Sequence, residues 1–274
     1  MKVTFYGTRG SIPVAEKEMI QIGGNTACIL VRFDNEQIAI LDSGTGIRKL
    51  GNEIVSQGIE QFANIYIALS HTHLDHIHGF PFFKPAYDNR RHFTISFCGK
   101  ERAEKELGSI FSGQMRRDYF PIPMQEMGAN FTFWEPDETS YKARSGIRVR
   151  ASLHSHPIAT YGYRFEEEGK VLAYITDVEH INGIDHRVVN LAENADLLIH
   201  DAQYTPEELK EKKGWGHSSW EQAVEVAERA SVKRLALFHH DPEHSDKFLF
   251  NMESECRKRF DGAFLAIEGQ TVEF

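Results

Sequence analysis

Four histidines and one aspartate occur within eight residues, directly after a short apolar run at 67–69. These polar residues are His71, His73, Asp75, His76 and His78. Histidine and aspartate are poor strand formers, and buried polar groups need partners, so packing alone does not account for them. Imidazole and carboxylate groups are good ligands for zinc, manganese, iron or cobalt. The residue types and their spacing therefore predict a metal site.

One loop this tight cannot direct all of these side chains at a single ion. The alternating pair His71 and His73 can face one ion, while the adjacent pair Asp75 and His76 can face a second. Two divalent ions about 3.5–4 Å apart form a clamp for an in-line displacement. Two carboxylates and a bridging hydroxide would reduce the charge of such a pair to about +1. That residual charge favours an anionic phosphate oxygen over a neutral ester.

Each ion needs further ligands, and polar residues at the ends of later apolar segments can supply them. The candidates are His154, His156, Asp177, His200, Asp201, His239, His240 and Asp241. Side chains that follow strands belong to a rigid scaffold, which is where a site is expected. The residues alone do not decide which members of this group are ligands.

Strands and helices that could position these residues follow from apolar periodicity. Predicted strands cover 3–6, 26–33, 37–42, 65–70, 131–134, 147–156, 161–165, 171–177, 197–202 and 234–240. Predicted helices begin near 47, 101, 218 and 245. Ser218 with Glu221, or Ser219 with Gln222, forms a capping box for the third helix. Strand-rich halves, each closed by helices, predict two stacked sheets between helical layers.

Composition narrows the class of protein. The 274 residues carry a formal charge of −9, and an acidic chain is a poor general binder of nucleic acid. Cys28, Cys98 and Cys256 are far apart and form no disulfide framework. We find no apolar run of about 18 residues and no signal peptide. These features predict a cytoplasmic protein that does not bind membranes.

Six segments resemble those of a known family. The segment HTHLDH at 71–76 matches the H-x-H-x-D-H motif of the metallo-β-lactamase superfamily. The segments GTRGSIP (7–13), DSGTG (42–46), HPIATYGYR (156–164), YITD (174–177) and LFHHDP (237–242) are similar to those of ribonuclease Z and its phosphodiesterase relatives. The resemblance implies an α/β (α+β) fold, the four-layer αββα sandwich of this superfamily. It also implies one domain, 1–274, with an insertion at about 80–135 that could cover the active site.

The resemblance also implies two divalent ions, with zinc as the first expectation and manganese or iron as alternatives. One ion takes His71, His73 and His156, and the other takes Asp75, His76 and His239. Asp177 bridges the two ions. By the same resemblance, His156 is preferred because it lies six residues before Gly-Tyr-Arg, and His239 because it is the first histidine after its strand.

Two further segments resemble the ribonuclease Z-like branch. GWGHSSW (214–220) is similar to its G-H-S-T segment, and LLIHDA (197–202) to its L-L-I-H-E-A. The resemblance implies that His217 and Asp201 pair beside the metals and help proton transfer, with aspartate here where ribonuclease Z usually has glutamate. A carboxylate opposes the helix N-terminus that would disfavour imidazolium, and it fixes the tautomer. We therefore predict catalytic roles for Asp75, His217 and Asp201.

The expected activity is that of a phosphoric diester hydrolase, acting through a hydroxide that bridges the ions. Ribonuclease Z commonly carries a long arm after Gly-Tyr-Arg that grips tRNA, whereas only FEEEGK separates Arg164 from the next strand. Because this segment is short and acidic, we expect a small phosphodiester substrate, such as a cyclic nucleotide, and no extended nucleic acid. A homodimer is a further expectation.

Alternative functions remain open at the level of sequence. They are a tRNA 3′-processing endonuclease, a lactonase or thioesterase on the same fold, and a binding or redox protein. Di-iron flavoproteins of this fold typically have glutamate at the position of His73, which argues against oxygen reduction. We expect supporting or surface roles for His78, His154, His200, His240 and His244, and expect Asp42 to orient a ligand histidine.

Overall fold

The computed structural model describes residues 1–57, 62–99, 106–137, 139–142 and 146–274. Its strands, numbered in chain order, form two seven-stranded sheets. The first sheet contains, in spatial order, β14 (Thr271–Glu273), β1 (Lys2–Gly7), β2 (Cys28–Arg32), β3 (Ile38–Leu41), β4 (Asn64–Ala68), β5 (His92–Ser96) and β6 (Asn130–Trp134). The second contains β13 (Ala263–Leu265), β12 (Leu235–Phe238), β11 (Leu197–Asp201), β10 (Lys170–Ile175), β9 (Thr160–Glu167), β8 (Arg148–His154) and β7 (Ser140–Lys142).

Seven α-helices lie within the described residues. They are α1 (Ile47–Ser56), α2 (Leu74–Ile77), α3 (Leu107–Gln114), α4 (His186–Ala192), α5 (Pro206–Glu211), α6 (Trp220–Arg229) and α7 (Asp246–Arg259). Short 3₁₀ helices occur at Lys17–Met19, Phe80–Phe82, Lys84–Tyr87 and Met124–Glu126. α1 packs on the first sheet, and α4, α6 and α7 pack on the second. The predicted pair of mixed sheets flanked by helices is confirmed.

Residues of the central strands alternate between two apolar cores. In β10, Leu172 and Tyr174 lie in the core between the sheets, while Ala173 and Ile175 lie in the core beneath the helices. The same alternation continues through β11 and β12. Successive side chains of a strand point to opposite faces, so a strand covered on both sides reads as a continuous apolar run. These buried strands form the rigid base from which the polar loops emerge.

The ends of several strands meet at one edge of the sandwich. β10, β11 and β12 are parallel, and β3, β4 and β5 are parallel in the other sheet. A hydrogen bond of 2.9 Å from Tyr161 N to Ser70 O joins the two sheets there. Carboxyl ends of parallel strands are where ligands bind in α/β sheets. The predicted site residues follow these ends.

Some predicted elements differ from the structure in their boundaries. Ser219, with Gln222, forms the capping box of α6, so the second of the two predicted alternatives is confirmed. Residues 101–105 of the helix that was predicted to begin near 101 lie outside the described residues. β5 and β6 fall inside the predicted insertion at 80–135 and belong to the first sheet. We propose that 1–274 is one domain and that the segment between these strands can cover the site.

Candidate metal centre

The short helix α2 positions the first polar residues. His73 precedes it with extended backbone, at φ −61° and ψ 153°. Asp75 and His76 then lie on its single turn and are buried, while Leu74, the first residue of the helix, is 70% exposed. In the extended segment, alternate side chains point the same way, whereas neighbouring side chains of the helical turn can face the same side. The change of backbone conformation after His73 therefore directs both pairs of side chains toward the same edge of the sheets. His71, His73, Asp75 and His76 therefore lie together, as the spacing predicted.

His71, His73, His156 and Asp177 form the first cluster. Their possible ligand atoms all lie within 4.8 Å of one another. His156 Nε2 is 3.1 Å from His73 Nδ1. Asp177 Oδ2 is 3.6 Å from His71 Nε2 and 3.9 Å from His156 Nε2. Three imidazoles and one carboxylate oxygen thus converge on a single point.

Asp75, His76 and His239 form the second cluster, again with ligand atoms within 4.8 Å. The Nε2 atoms of His76 and His239 are 3.3 Å apart, and His239 Nε2 is 3.2 Å from Asp75 Oδ2. The other oxygen of Asp177, Oδ1, is 3.3 Å from His76 Nε2 and 3.4 Å from His239 Nε2. The two oxygens of Asp177 are therefore divided between the two clusters.

The second ring nitrogen of each of four histidines is engaged by the protein. His76 Nδ1 lies 2.9 Å from Asp42 Oδ2, and His239 Nδ1 lies 2.9 Å from Gln203 Oε1. His156 Nδ1 donates to the Gly216 carbonyl at 2.8 Å, and His71 Nδ1 lies 3.0 Å from the Ser70 hydroxyl. These contacts place the ring proton on Nδ1, so that Nε2 carries a lone pair that can bind a metal ion.

The donor set fits divalent cations. His71 Nε2 is buried without a hydrogen-bond partner among the described residues. The Nε2 lone pairs of His76 and His239 face each other, an arrangement that leaves both without a donor. A cation between such atoms satisfies them together, and neutral imidazole with carboxylate suits zinc and its neighbours.

The electrostatic field favours positive charge at the second cluster. Burial raises the pKa of the Asp75 and Asp177 carboxyls, but neighbouring histidines outweigh burial and lower both pKa values. Burial lowers the pKa of the His76 imidazole, but the surrounding carboxylates, Asp75 first, raise it well above its ordinary value. By contrast, burial and then His76 lower the pKa of His71. Ionised carboxylates that attract a proton to His76 attract a divalent ion equally.

Three residues of the centre adopt left-handed backbone. Asp42, Asp177 and His239 have φ values of 58°, 51° and 62°, each directly after a strand or one residue beyond. Such a conformation costs roughly 1–2 kcal/mol for a residue other than glycine. It turns the chain sharply, so that the side chain stands at the sheet edge.

His217 and Asp201 form a buried pair beside both clusters. His217 Nδ1 lies 2.8 Å from Asp201 Oδ2, and the rings of His217 and His239 stack at 5.0 Å. Asp201 also accepts from the backbone N–H groups of Gln203 (3.0 Å) and Val178 (3.3 Å). Asp177, Asp201, His217 and His239 are themselves within ligand distance of one another. Proximity alone therefore does not separate a ligand role from a proton-transfer role for this pair.

The remaining predicted histidines lie outside the three ligand clusters of the described residues. His240 bonds the Ala266 carbonyl, and His244 lies 2.8 Å from Glu208 Oε1. His78 contacts the Leu74 carbonyl. His154 and His200 are buried, each with a ring nitrogen that has no hydrogen-bond partner in the described residues.

Sequence reasoning missed three supporting groups. Gln203 orients His239, the Gly216 carbonyl orients His156, and the Ser11 backbone N–H donates to Asp75 Oδ2 at 2.8 Å. The Gly216 and Ser11 contacts are made by backbone groups, which every residue has. The residue types at these positions therefore could not predict the contacts. Gln203 lies two residues after Asp201 and was detectable only by that position. Asp42, which accepts from Ser70, His76 and Tyr174, behaves as expected.

Comparison with known proteins places this arrangement in a class. The family model described as "Beta-lactamase superfamily domain" matches residues 40–240, and the chain belongs to that superfamily. Ribonuclease Z of Haloferax volcanii is 25% identical over 325 aligned positions, which cover 100% of this chain and 95% of that protein. Among solved structures, the short form of human tRNase Z has 20% identity and a TM-score of 0.69, covering 100% of this chain and 98% of its own. A diphosphatase of the PhnP family has 19% identity and a TM-score of 0.70, covering 100% and 97%.

These similarities confirm the predicted ribonuclease Z-like branch of the metallo-β-lactamase superfamily. The chain is a metal-dependent hydrolase, as predicted, and its family implies divalent metal ions. Within the described residues, no helix has both the length and the apolar character needed to cross a bilayer.

The prediction that excluded extended nucleic acid is wrong. Relatives named ribonuclease Z align along the whole chain, although their identity is low. The acidic segment after Arg164 contains the end of β9, the turn at 168–169 and the first residue of β10, and this turn is about 20 Å of strand away from Asp177. There Glu166 pairs with Arg148 and Arg164. Net charge was misleading because it does not describe the charge at the metal centre.

Proposed function

We propose that the chain is a dinuclear metal-dependent phosphodiesterase. The observation that carries the proposal is the division of the two Asp177 oxygens between two clusters of nitrogen and oxygen donors. Paired divalent ions joined by one carboxylate are suited to in-line displacement at phosphorus. The similarity to ribonuclease Z, at 25% identity over the whole chain, supports the same chemistry.

His71, His73 and His156 would hold one ion, Asp75, His76 and His239 would hold the other, and Asp177 would be shared. The donors are imidazole and carboxylate, which makes zinc the first expectation and manganese or iron the alternatives. Divalent ions bound here supply Lewis acidity toward phosphoryl oxygens and an activated water.

The protein's own groups would orient the ligands and move the proton. Ser11 N–H donates to Asp75 Oδ2 at 2.8 Å, so that this carboxylate would keep its orientation toward His76 and His239. His217 directs Nδ1–H to Asp201, which leaves Nε2 to carry a proton to the leaving oxygen. Asp201 acts through His217, because its oxygens are already engaged by backbone N–H groups and the imidazole.

An RNA phosphodiester is the first candidate substrate, since the ribonuclease Z relatives align with the entire chain. A small or cyclic phosphodiester is the second candidate, and one observation favours it. β9 ends at Glu167 and β10 begins at Lys170, so the connection that carries the tRNA-gripping arm in ribonuclease Z is a tight turn here. The aligned length of 325 positions against 274 residues also means that the relative is longer in places.

A substrate panel tests the proposal. The metal content of the purified protein is measured first, and the protein is then assayed with zinc and with manganese on bis-p-nitrophenyl phosphate, cyclic nucleotides, 2′,3′-cyclic phosphates and a tRNA precursor. Turnover of at least one phosphodiester, with about two ions per chain, is the expected result. Turnover of lactones or thioesters in the absence of phosphodiesterase activity would reject the proposal in favour of a carbon-centre hydrolase.

A further inference from the structure

The loop at 212–216 is fixed against the metal centre by its backbone. The carboxylate of Glu179 accepts from Gly214 N at 2.7 Å and from Gly216 N at 3.0 Å. Trp215 N donates to the Lys212 carbonyl at 3.2 Å. Gly216 has φ +90°, and its carbonyl accepts from His156 Nδ1 at 2.8 Å. The loop is therefore held on one side by Glu179 and on the other by a residue of the first cluster.

This fixed loop presents a large aromatic side chain to solvent. The indole of Trp215 is 63% exposed, although apolar burial would favour a covered position. Its Cα lies about 3.8 Å from that of Gly216, whose carbonyl touches His156. The contacts of the described residues include no aromatic or cationic partner for this ring, whereas Trp134 packs on Tyr141.

The same loop carries an exposed cation two residues before Trp215. Lys213 is exposed and forms no ion pair within the described ranges. The neighbouring Lys212 is already committed, since its Nζ lies 3.1 Å from Asp241 Oδ2 and 4.4 Å from the ring centre of Tyr204. An exposed aromatic face next to a free cation is the pairing with which proteins bind single-stranded nucleic acid.

We infer that Trp215 stacks on a nucleobase of the phosphodiester substrate, with Lys213 beside the adjoining phosphate. The inference rests on the proposed function and deepens it, because it makes the substrate a nucleotide or a polynucleotide strand. Stacking would position the scissile phosphate at the metal centre, since Trp215 directly precedes Gly216, whose carbonyl contacts His156. Trp215 is thus a specificity-determining residue.

The test compares two substrates that share one leaving group. Thymidine 5′-(p-nitrophenyl phosphate) offers a base, and methyl p-nitrophenyl phosphate does not. In the metal-containing protein, Trp215→Ala should lose about tenfold more kcat/KM for the thymidine ester than for the methyl ester. Trp215→Phe should restore most of the difference. Phe274→Ala is the matched control, because Phe274 is a partly exposed aromatic residue beside Arg234, directly after β14 and outside the ligand clusters, and it should keep the wild-type ratio.

A binding measurement separates this inference from the proposed function. Thymidine 5′-monophosphate should quench tryptophan fluorescence of the wild type and not of Trp215→Ala, whether or not either ester is hydrolysed. Hydrolysis of neither ester, with quenching intact, would defeat the phosphodiesterase proposal and retain base binding. Equal losses on both esters, unchanged quenching in Trp215→Ala, or a shifted ratio in Phe274→Ala would overturn the stacking role.

Discussion

His217 Nδ1 lies 2.8 Å from Asp201 Oδ2, and the carboxylate is held in turn by two backbone N–H groups. The shorter side chain of aspartate, compared with the glutamate usual in ribonuclease Z, still reaches the imidazole because Asp201 is the last residue of β11. Burial lowers the pKa of His217, but Asp201 outweighs burial and raises that pKa to about 9. The pair is built to keep a proton near the metal centre.

Removing the imidazole should affect substrates according to their leaving group. We expect His217→Ala to lower kcat by about 10²–10⁴-fold for a substrate with an alkoxide leaving group. The loss should be much smaller for p-nitrophenolate, which leaves without a proton. Steady-state kinetics on a dinucleotide and on bis-p-nitrophenyl phosphate measure both values. Equal losses on the two substrates would reject the proton-donor role.

Replacing the shared carboxylate should reduce metal content. Asp177→Asn keeps the size of the side chain but removes the charge that faces both clusters, so we expect fewer than two ions per chain by elemental analysis. Asp201→Asn is the matched control, because we place Asp201 on His217 rather than on an ion, and it should retain both. A loss of metal in Asp201→Asn would instead make Asp201 a ligand.

The hydrogen bond from Gln203 to His239 should contribute to metal affinity. Gln203→Met removes the acceptor at 2.9 Å from His239 Nδ1 while retaining similar volume. Because that contact fixes the tautomer that exposes Nε2, we expect metal affinity to fall by about 10–100-fold. Competition with a chromogenic chelator measures the change. Unaltered affinity would mean that the Asp75 and His76 contacts alone orient His239.

Acid should destabilise the fold through buried histidines away from the ligands. Burial and then His200 lower the pKa of His180 to about 3, against an ordinary value of 6.5. The unfolded chain binds a proton below about pH 6.5 while folded His180 stays neutral, so stability is full above that pH and falls toward pH 3. The slope is at most about 1.4 kcal/mol per pH unit for one group.

Urea unfolding of the metal-free protein at pH 7.5 and 5.0 measures this effect. His180→Gln should lose about 1–2 kcal/mol less than the wild type on acidification, because it removes the group that gains the proton. His186→Gln is the control, since the side chain of His186 is 86% exposed, and it should behave as the wild type does. Identical acid sensitivity in all three proteins would remove His180 from the explanation.

The spacing in 71–76 was sufficient to predict that His71 and His73 lie in one cluster, and Asp75 and His76 in another. It could not choose between His154 and His156, because both follow the same apolar run. In the structure His154 pairs with Thr160 inside the sheet, and His156 lies beyond it, where its ring is free to turn toward His73. Only resemblance to a family supplied that choice from sequence.

Contacts between distant segments could not be predicted. Ser11 and Asp75 are 64 residues apart, and the Glu179 carboxylate reaches Gly216 across 37 residues. The exclusion of extended nucleic acid failed for a related reason, since net charge does not say where the charges lie in the folded protein. The spacing of residues along the chain therefore predicted the candidate metal-binding side chains. The groups that surround those side chains became visible only in the folded structure.

Asp42 belongs to the first sheet, yet its carboxylate receives the Tyr174 hydroxyl from the second sheet at 2.6 Å as well as His76 and Ser70 from the first. One side chain thus links the two sheets by hydrogen bonds, at the point where it also orients His76. A shift of one sheet against the other by one residue, about 3.3 Å, would break these hydrogen bonds. Heat inactivation and cooperative melting should consequently share one midpoint, with no intermediate that is folded but catalytically dead.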